Sequence, residues 1–233
     1  MKYLSVVLIV ICTCKVGVCQ VRQQAGKLNV NTAAGGIVET KQLPVSEVSG
    51  TIYLDEAWSL GTIYLKNGSV LNDVRLRYDM EKNQFELDHG PHVRVLAGAF
   101  VSHFEHKDAK GQWKYYDSYV SFPGLGQINE GFFERIVDGN PGLFLKSEIE
   151  IIKPSYLAAL DVGERSARYV KNEIFYLLIN GTTRELPKKK KEFYALFGEH
   201  TEVIKEFVKA NNINLKQREG LIKVIRLAQS ELK

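Results

Sequence analysis

The sequence predicts an α+β protein in which an antiparallel β-meander precedes three short C-terminal helices. Apolar and polar residues alternate along residues 70–88, as they do in half-buried strands. Short apolar segments then recur up to residue 186, separated by Gly, Pro, Asn and Asp. After Pro187 the apolar spacing changes to three and four residues, which is typical of amphipathic helices. We therefore expect a curved sheet, an open barrel or a sandwich, over residues 50–186, and a helical subdomain packed on it over residues 187–233.

The first 19 residues have the pattern of a cleavable signal peptide. Lys2 supplies a positive start, residues 3–14 are mostly apolar, and residues 17–19 offer small side chains for cleavage before Gln20. A membrane-spanning helix needs about 20 apolar residues, and Lys15 interrupts this run too early. We therefore predict export, with no transmembrane span after cleavage. An uncleaved anchor and a lipid attached to a cysteine are the alternatives.

Removal of this segment would leave a cysteine-free chain of low net charge. All three cysteines lie within it, so we expect no disulfides, but about 210 residues suffice for a core without them. Lys2 and Lys15 account for two of the 31 basic residues, which leaves 29 against 27 acidic ones. So small an excess predicts no nucleic-acid partner, because phosphate binding needs a clustered basic surface. Residues 20–49 are rich in Gln, Asn, Thr, Gly and Ala and are expected to form a flexible leader, with a short edge strand near residues 37–38.

Two Asn-Gly pairs predict tight hairpins. Asn67-Gly68 and Asn180-Gly181 each separate two apolar segments. Both residue types tolerate the positive φ that short hairpin turns require.

A third hairpin is predicted to turn near residues 81–83. Its register would place Arg77 opposite Glu86 and Arg75 opposite Asp88. We expect both ion pairs on a wet face, where they set the register more than the stability. The remaining strands are predicted at residues 93–97, 100–105, 113–122, 131–137, 143–152 and 169–179.

The helical segment carries its own boundary residues. Pro187 suits a first helical position, and Gly198 is placed to end that first helix. Thr201 opens a second helix. Asn214 with Gln217 resembles a capping box that opens the third.

Two of these stretches carry a resemblance. Residues 61–78 (GTIYLKNGSVLNDVRLRY) and the tail at 175–232, with its motif PKKKKEFYALFG, resemble a group of uncharacterised secreted proteins of Bacteroidetes-type bacteria. The likeness covers about a third of the chain, and its motifs are structural: a hairpin, a lysine-rich helix start and a terminal helix pair. It implies export and fold, and it implies no activity or catalytic residue.

Four histidines form the constellation best suited to a metal. They flank a hairpin predicted to turn near Gly98, and Glu105 adds a nearby carboxylate. Imidazole and carboxylate groups are ligands for zinc or copper. The candidate ligands are His89, His92, His103 and His106. The alternative is that these are ordinary wet residues at strand ends, since His103 and His106 would point to opposite faces of an ideal strand.

Two further groups are candidates for ligand contact. An aromatic row of shared strand parity could stack on a sugar or lie against a partner, or its rings could belong to the core. Its members are Trp113, Tyr115 and Tyr119. The only run of like charges could contact an anionic lipid or polysaccharide, or form a solvated face in which Lys189 pairs with Glu192. It consists of Lys188, Lys189, Lys190 and Lys191.

Motifs of known enzyme classes are missing from the sequence. It contains no GxSxG elbow, phosphate-binding loop or dinucleotide fingerprint, so we expect no cofactor and favour a protein without catalysis, although scattered Ser, His and Asp could converge in space. The first hypothesis is an exported, non-catalytic binding or structural module of the bacterial cell envelope. It would be secreted or periplasmic, or associated with the outer membrane, and would bind an envelope protein, a glycan or a lipid.

Two alternatives remain open. One is a metal-dependent hydrolase or metal-binding protein that uses the four histidines. The other is a carrier of a lipid or other apolar ligand in an open-barrel cavity. That cavity would be lined by residues such as Phe100, Phe104, Tyr119 and Ile149.

Overall fold

The computed structural model describes residues 38–40, 48–125, 130–155, 160, 163 and 166–231. The predicted signal peptide and most of the predicted leader lie outside these residues. Eleven strands of the described chain form a single antiparallel sheet, and three α-helices follow it, so the predicted α+β class is confirmed. The strands are β1 Val38–Thr40, β2 Ser59–Leu65, β3 Val70–Asp79, β4 Gln84–His89, β5 His92–Ala97, β6 Val101–Lys107, β7 Trp113–Ser118, β8 Phe132–Val137, β9 Gly142–Ile152, β10 Arg168–Ile179 and β11 Thr182–Glu185.

The sheet consists of two meanders that run in opposite directions from a shared centre. Its strand order is β1-β5-β4-β3-β2-β6-β7-β8-β9-β10-β11, so β1 and β11 occupy the two edges. The short strand predicted near residues 37–38 is therefore present at an edge, as β1. Both predicted Asn-Gly hairpins are also present, at β2-β3 and β10-β11.

The two Asn-Gly turns differ in their backbone conformation. Asn180 and Gly181 both adopt positive φ, 53° and 69°, as a two-residue hairpin loop with the twist of its strands requires. In the first turn the positive φ falls on Gly68, at 88°. The side chain of Asn67 there accepts a hydrogen bond from the amide of Ser69 at 3.0 Å.

The predicted hairpin between residues 93–97 and 100–105 is wrong. A 3₁₀ turn, Gly98–Phe100, follows β5 and leads the chain to the free edge of β2, where β6 pairs. The amide of Gly98 donates to the carbonyl of Asn83 at 2.8 Å, and the amide of Lys66 donates to the carbonyl of Phe100 at 2.9 Å. These two bonds fix the turn between the strands.

The sheet coils strongly, and aromatic rings fill the inside of the coil. Phe85 of β4, Phe104 of β6 and Phe132 of β8 have ring centroids 4.8 to 5.3 Å apart, although no two of these strands are neighbours in the sheet. Strands so far apart in the order can meet only if the sheet curves around a common interior. Other buried members of this inner cluster are Ile63, Leu65, Leu76, Tyr78, Leu96, Val101 and Tyr116.

The helices cover the inner face of the second meander. They are α1 Lys190–Ala195, α2 Thr201–Ala210 and α3 Arg218–Glu231. Phe193, Ile204 and Leu221 are buried against sheet residues such as Leu143 and Leu177. None of the helices in the described part of the chain is long and apolar enough to cross a membrane.

Two of the predicted helix boundaries are wrong. α1 begins at Lys190, three residues after Pro187, which therefore does not take the first helical position. α3 begins at Arg218, and the Asn214 side chain accepts a hydrogen bond from the amide of Lys216 at 3.0 Å rather than from Gln217. Asn214 thus shapes the preceding turn and does not cap the helix.

A charged cluster fastens α3 to the sheet. Glu134 of β8 is almost fully buried and accepts hydrogen bonds from the guanidinium of Arg218 and from Lys114 Nζ at 2.8 Å. Burial raises the pKa of the Glu134 carboxyl, but these bonds outweigh burial and leave that pKa below its ordinary value. The carboxylate is therefore ionised when α3 is docked.

Residues 48–58, which we call the strap, cross the sheet between β3 and β10. The amide of Leu54 donates to the carbonyl of Tyr78, and the amide of Met80 donates to the carbonyl of Ile52, both at 2.9 Å. At its other side the strap forms an isolated bridge between Ser49 and β10. The strap therefore joins the two meanders through backbone hydrogen bonds.

Candidate functional site

The predicted register of the β3-β4 hairpin is confirmed, but only one of its two ion pairs is exposed to solvent as predicted. Arg77 pairs with Glu86, and Arg75 lies 3.1 Å from Asp88. The Arg75 side chain is 60% exposed, as expected on a wet face. Glu86 is fully buried, because the strap covers this part of the hairpin. The prediction that Glu86 is solvated is therefore wrong.

Arg77 and Glu86 form a buried ion pair beneath the strap. Glu86 accepts hydrogen bonds from Arg77 Nε at 2.9 Å and Nη2 at 2.7 Å, and from the hydroxyl of Tyr53 at 3.1 Å. The guanidinium lies 4.0 Å from the ring centroid of Tyr53 and 4.5 Å from that of Trp58, both strap residues. Burial, followed by the charge of Glu86, raises the pKa of Tyr53 to about 12. The carboxylate is thus engaged in holding the strap.

The four candidate metal ligands do not gather at one place. His89 and His92 face each other at the exposed β4-β5 turn, whereas His103 and His106 lie on β6, beyond β3 and β2 in the sheet. His103 is exposed and stacks on the ring of Tyr64 at 4.1 Å. Within the described ranges, no three His, Cys, Asp or Glu side chains are arranged to hold a metal ion. The predicted cluster fails because it depended on pairing β5 with β6.

Two of the three aromatic candidates form an exposed row on the outer face of β7. Trp113 is 42% exposed and Tyr115 is 46% exposed, while Tyr116, which follows Tyr115, points inward and is buried. Tyr119 does not belong to this row. The strand ends at Ser118, and the following 3₁₀ turn packs Tyr119 against a separate aromatic cluster.

The four lysines at the start of the helical segment are all exposed. They are Lys188, Lys189, Lys190 and Lys191. Lys189 Nζ donates to Glu192 at 3.0 Å, as the solvated alternative predicted. The lysines precede or begin α1, which has only six residues.

A groove of about 430 Å³ lies beside the aromatic row. Residues 55–60 form one wall and residues 107–111 of the β6-β7 turn form the other. The turn is built on Asp108, whose carboxylate accepts hydrogen bonds from two backbone amides of the turn, both at 2.9 Å. Lys107 lines the groove, and its ammonium lies 5.3 Å from the ring centroid of Trp113. The groove and the row are therefore adjacent on one surface.

Ser59, His106 and Asp55 converge where this groove meets the core. Ser59 Oγ lies 3.0 Å from His106 Nδ1, and Asp55 Oδ2 lies 3.6 Å from His106 Nε2. The His106 side chain is only 2% exposed, whereas Asp55 and Ser59 line the groove. Nε2 is buried and has no hydrogen-bond partner among the described residues.

Burial lowers the pKa of the His106 imidazole below its ordinary value. The carboxylates of Asp55 and Glu134 oppose this shift, and the ammonium of Lys114 adds to it. The ring is therefore mostly neutral near pH 7, and a neutral imidazole has one nitrogen available as a base.

A second groove, which is polar, and a filled interior argue against the hypothesis that the protein carries an apolar ligand. The groove measures about 490 Å³, and its lining includes Lys82, Glu130, Lys146 and Ile149. Phe104 is packed in the core, and the void beside His106 is too small for a water molecule. The residues proposed to line an apolar cavity are Phe100, Phe104, Tyr119 and Ile149. Neither of the two grooves nor this void, all formed by described residues, is lined by more than one of them.

Comparison of the chain with known protein families, with curated proteins and with solved structures found no match.

Proposed function

We propose that the protein is an exported module of the cell envelope that binds a glycan along the outer face of β6 and β7. The exposed row of Trp113 and Tyr115 carries this proposal. Large exposed aromatic side chains that adjoin a groove are typical of a binding surface. The signal-peptide pattern of residues 1–19 supports export to the compartment where such glycans occur.

The spacing and surroundings of the row suit a sugar chain. Two residues along a strand correspond to about 6.7 Å, so the two rings can contact successive parts of an extended ligand. The apolar faces of sugar rings stack on aromatic side chains, while their hydroxyls need polar partners. Glu105 lies opposite Tyr115 in the sheet, and Lys107 lies opposite Trp113. These neighbours supply an acceptor beside Tyr115 and a donor beside Trp113.

The adjacent groove favours a glycan over a flat protein surface. At about 430 Å³ its volume lies within the range of about 300–1,000 Å³ that is usual for small-molecule sites. Charged and polar groups border it, including Lys107 and Asp108. The hydroxyls of a sugar can form hydrogen bonds with these groups.

Affinity electrophoresis against a panel of soluble envelope and plant polysaccharides would test the proposal. We expect retardation by at least one of them, and isothermal titration with its oligosaccharides would then give Kd. Trp113→Ala should weaken binding by roughly thirtyfold, which is the loss of about 2 kcal/mol expected for a central aromatic contact. Tyr115→Ala should also weaken it, and Trp113→Phe should lose less.

Val203→Ala is the matched control, because Val203 is an exposed apolar residue on α2, away from the row. It should bind like the parent. Equal binding by Trp113→Ala and Val203→Ala would refute the site. Export has a separate test: Edman sequencing of protein from the extracytoplasmic fraction should begin at Gln20.

A further inference from the structure

We propose that Ser59, His106 and Asp55 form a serine-dependent site that hydrolyses small acyl esters. Strand β2 carries the serine, β6 carries the histidine and the strap carries the aspartate. The site lies at the edge of the groove described above. It does not depend on the glycan proposal, because the aromatic row takes no part in the chemistry.

The three side chains have the relations that acyl transfer requires. The nucleophile must lie within hydrogen-bond reach of a base, and a third group must orient that base. Ser59 Oγ and His106 Nδ1 are 3.0 Å apart. The Asp55 carboxylate approaches the other ring nitrogen at 3.6 Å, a length common for catalytic contacts before substrate binds.

The contact between serine and imidazole is the shortest of three polar contacts that Ser59 Oγ and His106 Nδ1 make. Ser59 Oγ also lies 3.3 Å from the carbonyl of Leu76, and His106 Nδ1 lies 3.2 Å from the carbonyl of Lys107. Both distances exceed the 3.0 Å between serine and imidazole. With the proton on Nε2, directed at Asp55, Nδ1 presents its lone pair to the serine hydroxyl. This tautomer directs the buried Nε2–H at the Asp55 carboxylate, 3.6 Å away, whereas the contact with the Lys107 carbonyl belongs to the other tautomer, with the proton on Nδ1.

The reaction then balances in two steps. His106 Nδ1 takes the hydroxyl proton as Ser59 Oγ attacks the ester carbonyl carbon, and the same proton passes to the leaving alkoxide when the carbon–oxygen bond breaks. The alcohol departs and leaves an acyl-serine. Water then attacks this ester while His106 again accepts and returns one proton, which releases a carboxylic acid and the free serine. Asp55 stabilises the imidazolium in both steps.

The lining of the groove indicates a short, uncharged acyl group. Ala57, Leu60 and Ala109 give it apolar surface near Ser59. Its volume of about 430 Å³ admits a small ester together with part of the alcohol.

Two assays on the purified whole chain test the proposal. One follows hydrolysis of 4-nitrophenyl acetate and butyrate. The other maps the adduct of a fluorophosphonate by mass spectrometry. We expect turnover above the buffer rate and labelling at Ser59. Ser59→Ala should lose about a hundredfold, because it removes the nucleophile on which the general base acts, and general-base catalysis contributes about 10² to 10⁴.

Ser102→Ala is the matched control. Ser102 Oγ lies 3.0 Å from His103 Nδ1, the same distance as in the proposed site, and it also bonds to a main-chain carbonyl. That pair is exposed and belongs to adjacent residues. Ser102→Ala should keep full turnover and full labelling.

The proposal is overturned if the parent protein hydrolyses neither ester above the buffer rate, if the label maps elsewhere, or if Ser59→Ala retains the parental rate. His106→Gln should abolish both turnover and labelling, and thermal melting would show whether it folds. If it does not fold, Ser59→Ala and the adduct map decide the matter by themselves. Failure of these assays would leave the proposal of polysaccharide binding unaffected. Failure to bind any polysaccharide would likewise leave the proposed ester hydrolysis unaffected.

Discussion

Replacing Glu86 by Gln measures how strongly the strap is locked onto the sheet. The substitution keeps the shape of the side chain and removes its charge. Arg77 would then remain between the rings of Tyr53 and Trp58 without a charged partner. Breaking a buried ion pair in this way costs about 3–5 kcal/mol, because an uncompensated charge stays buried. We therefore expect Glu86→Gln to lower the free energy of unfolding by about 3 kcal/mol.

The same hairpin contains its own control. Asp88 pairs with Arg75, whose side chain is 60% exposed, and exposed ion pairs contribute about 0.2–1 kcal/mol. Asp88→Asn should therefore cost no more than about 1 kcal/mol. Urea unfolding followed by circular dichroism gives both values under the same conditions.

Equal losses of unfolding free energy from Glu86→Gln and Asp88→Asn would refute the claim that the strap buries the ion pair of Glu86. A second check uses the double variant Arg77→Met with Glu86→Leu. Replacement of both partners removes the buried charge altogether, so it should recover part of the stability lost in Glu86→Gln. A double variant less stable than Glu86→Gln would contradict that explanation.

Three other predictions concern the rest of the molecule. Burial lowers the pKa of His106 in the folded protein, so its contribution to stability is complete above the unfolded pKa of about 6.5 and is lost as pH falls from there through the folded pKa. His106→Gln should therefore make the melting temperature depend less on pH between pH 7.5 and 5. Parallel curves of melting temperature against pH for the parent and the variant would disprove this. Arg218→Met should lower the free energy of unfolding by about 2 kcal/mol, because it removes a charged partner of Glu134. Limited proteolysis should then cleave α3 faster than in the parent. An unchanged cleavage rate would be inconsistent with docking of α3 through this pair. Phe193→Ala should lower the free energy of unfolding in urea by about 3–5 kcal/mol, whereas Val203→Ala, at an exposed position, should lower it by less than about 0.5 kcal/mol. Similar losses from the two variants would argue against a core between helices and sheet.

Local pattern was sufficient for most of the sheet. Asn180-Gly181 specifies its turn through the φ that both residues adopt, and the pairing of Arg77 with Glu86 follows once the turn is placed. The error at β5-β6 has a physical cause. Both edges of β2 are available for pairing, and alternation along a strand does not say which neighbour occupies an edge.

The candidate sites were harder to predict than the strands. Strand parity predicted that Trp113 and Tyr115 share a face, but not that this face is exposed, and Tyr119 is not part of the row because the strand ends at Ser118. The convergence of Ser59 and His106 depends on the pairing of β2 with β6, which no local pattern specifies. The burial of Glu86 depends on the strap, whose residues 48 and 49 fall within the predicted flexible leader.

The strap also sets an order of events during synthesis. Ser49 Oγ donates a hydrogen bond to the carbonyl of Ala167, 118 positions later in the chain. The carbonyl of Leu54 accepts one from Lys171 Nζ, 117 positions later. Contacts so remote in the chain form slowly, and they cannot form at all until β10 has left the ribosome. The local hairpins β2-β3 and β4-β5 can form earlier, so the attachment of the strap to β10 is a late step in folding, which follows the synthesis of most of the chain.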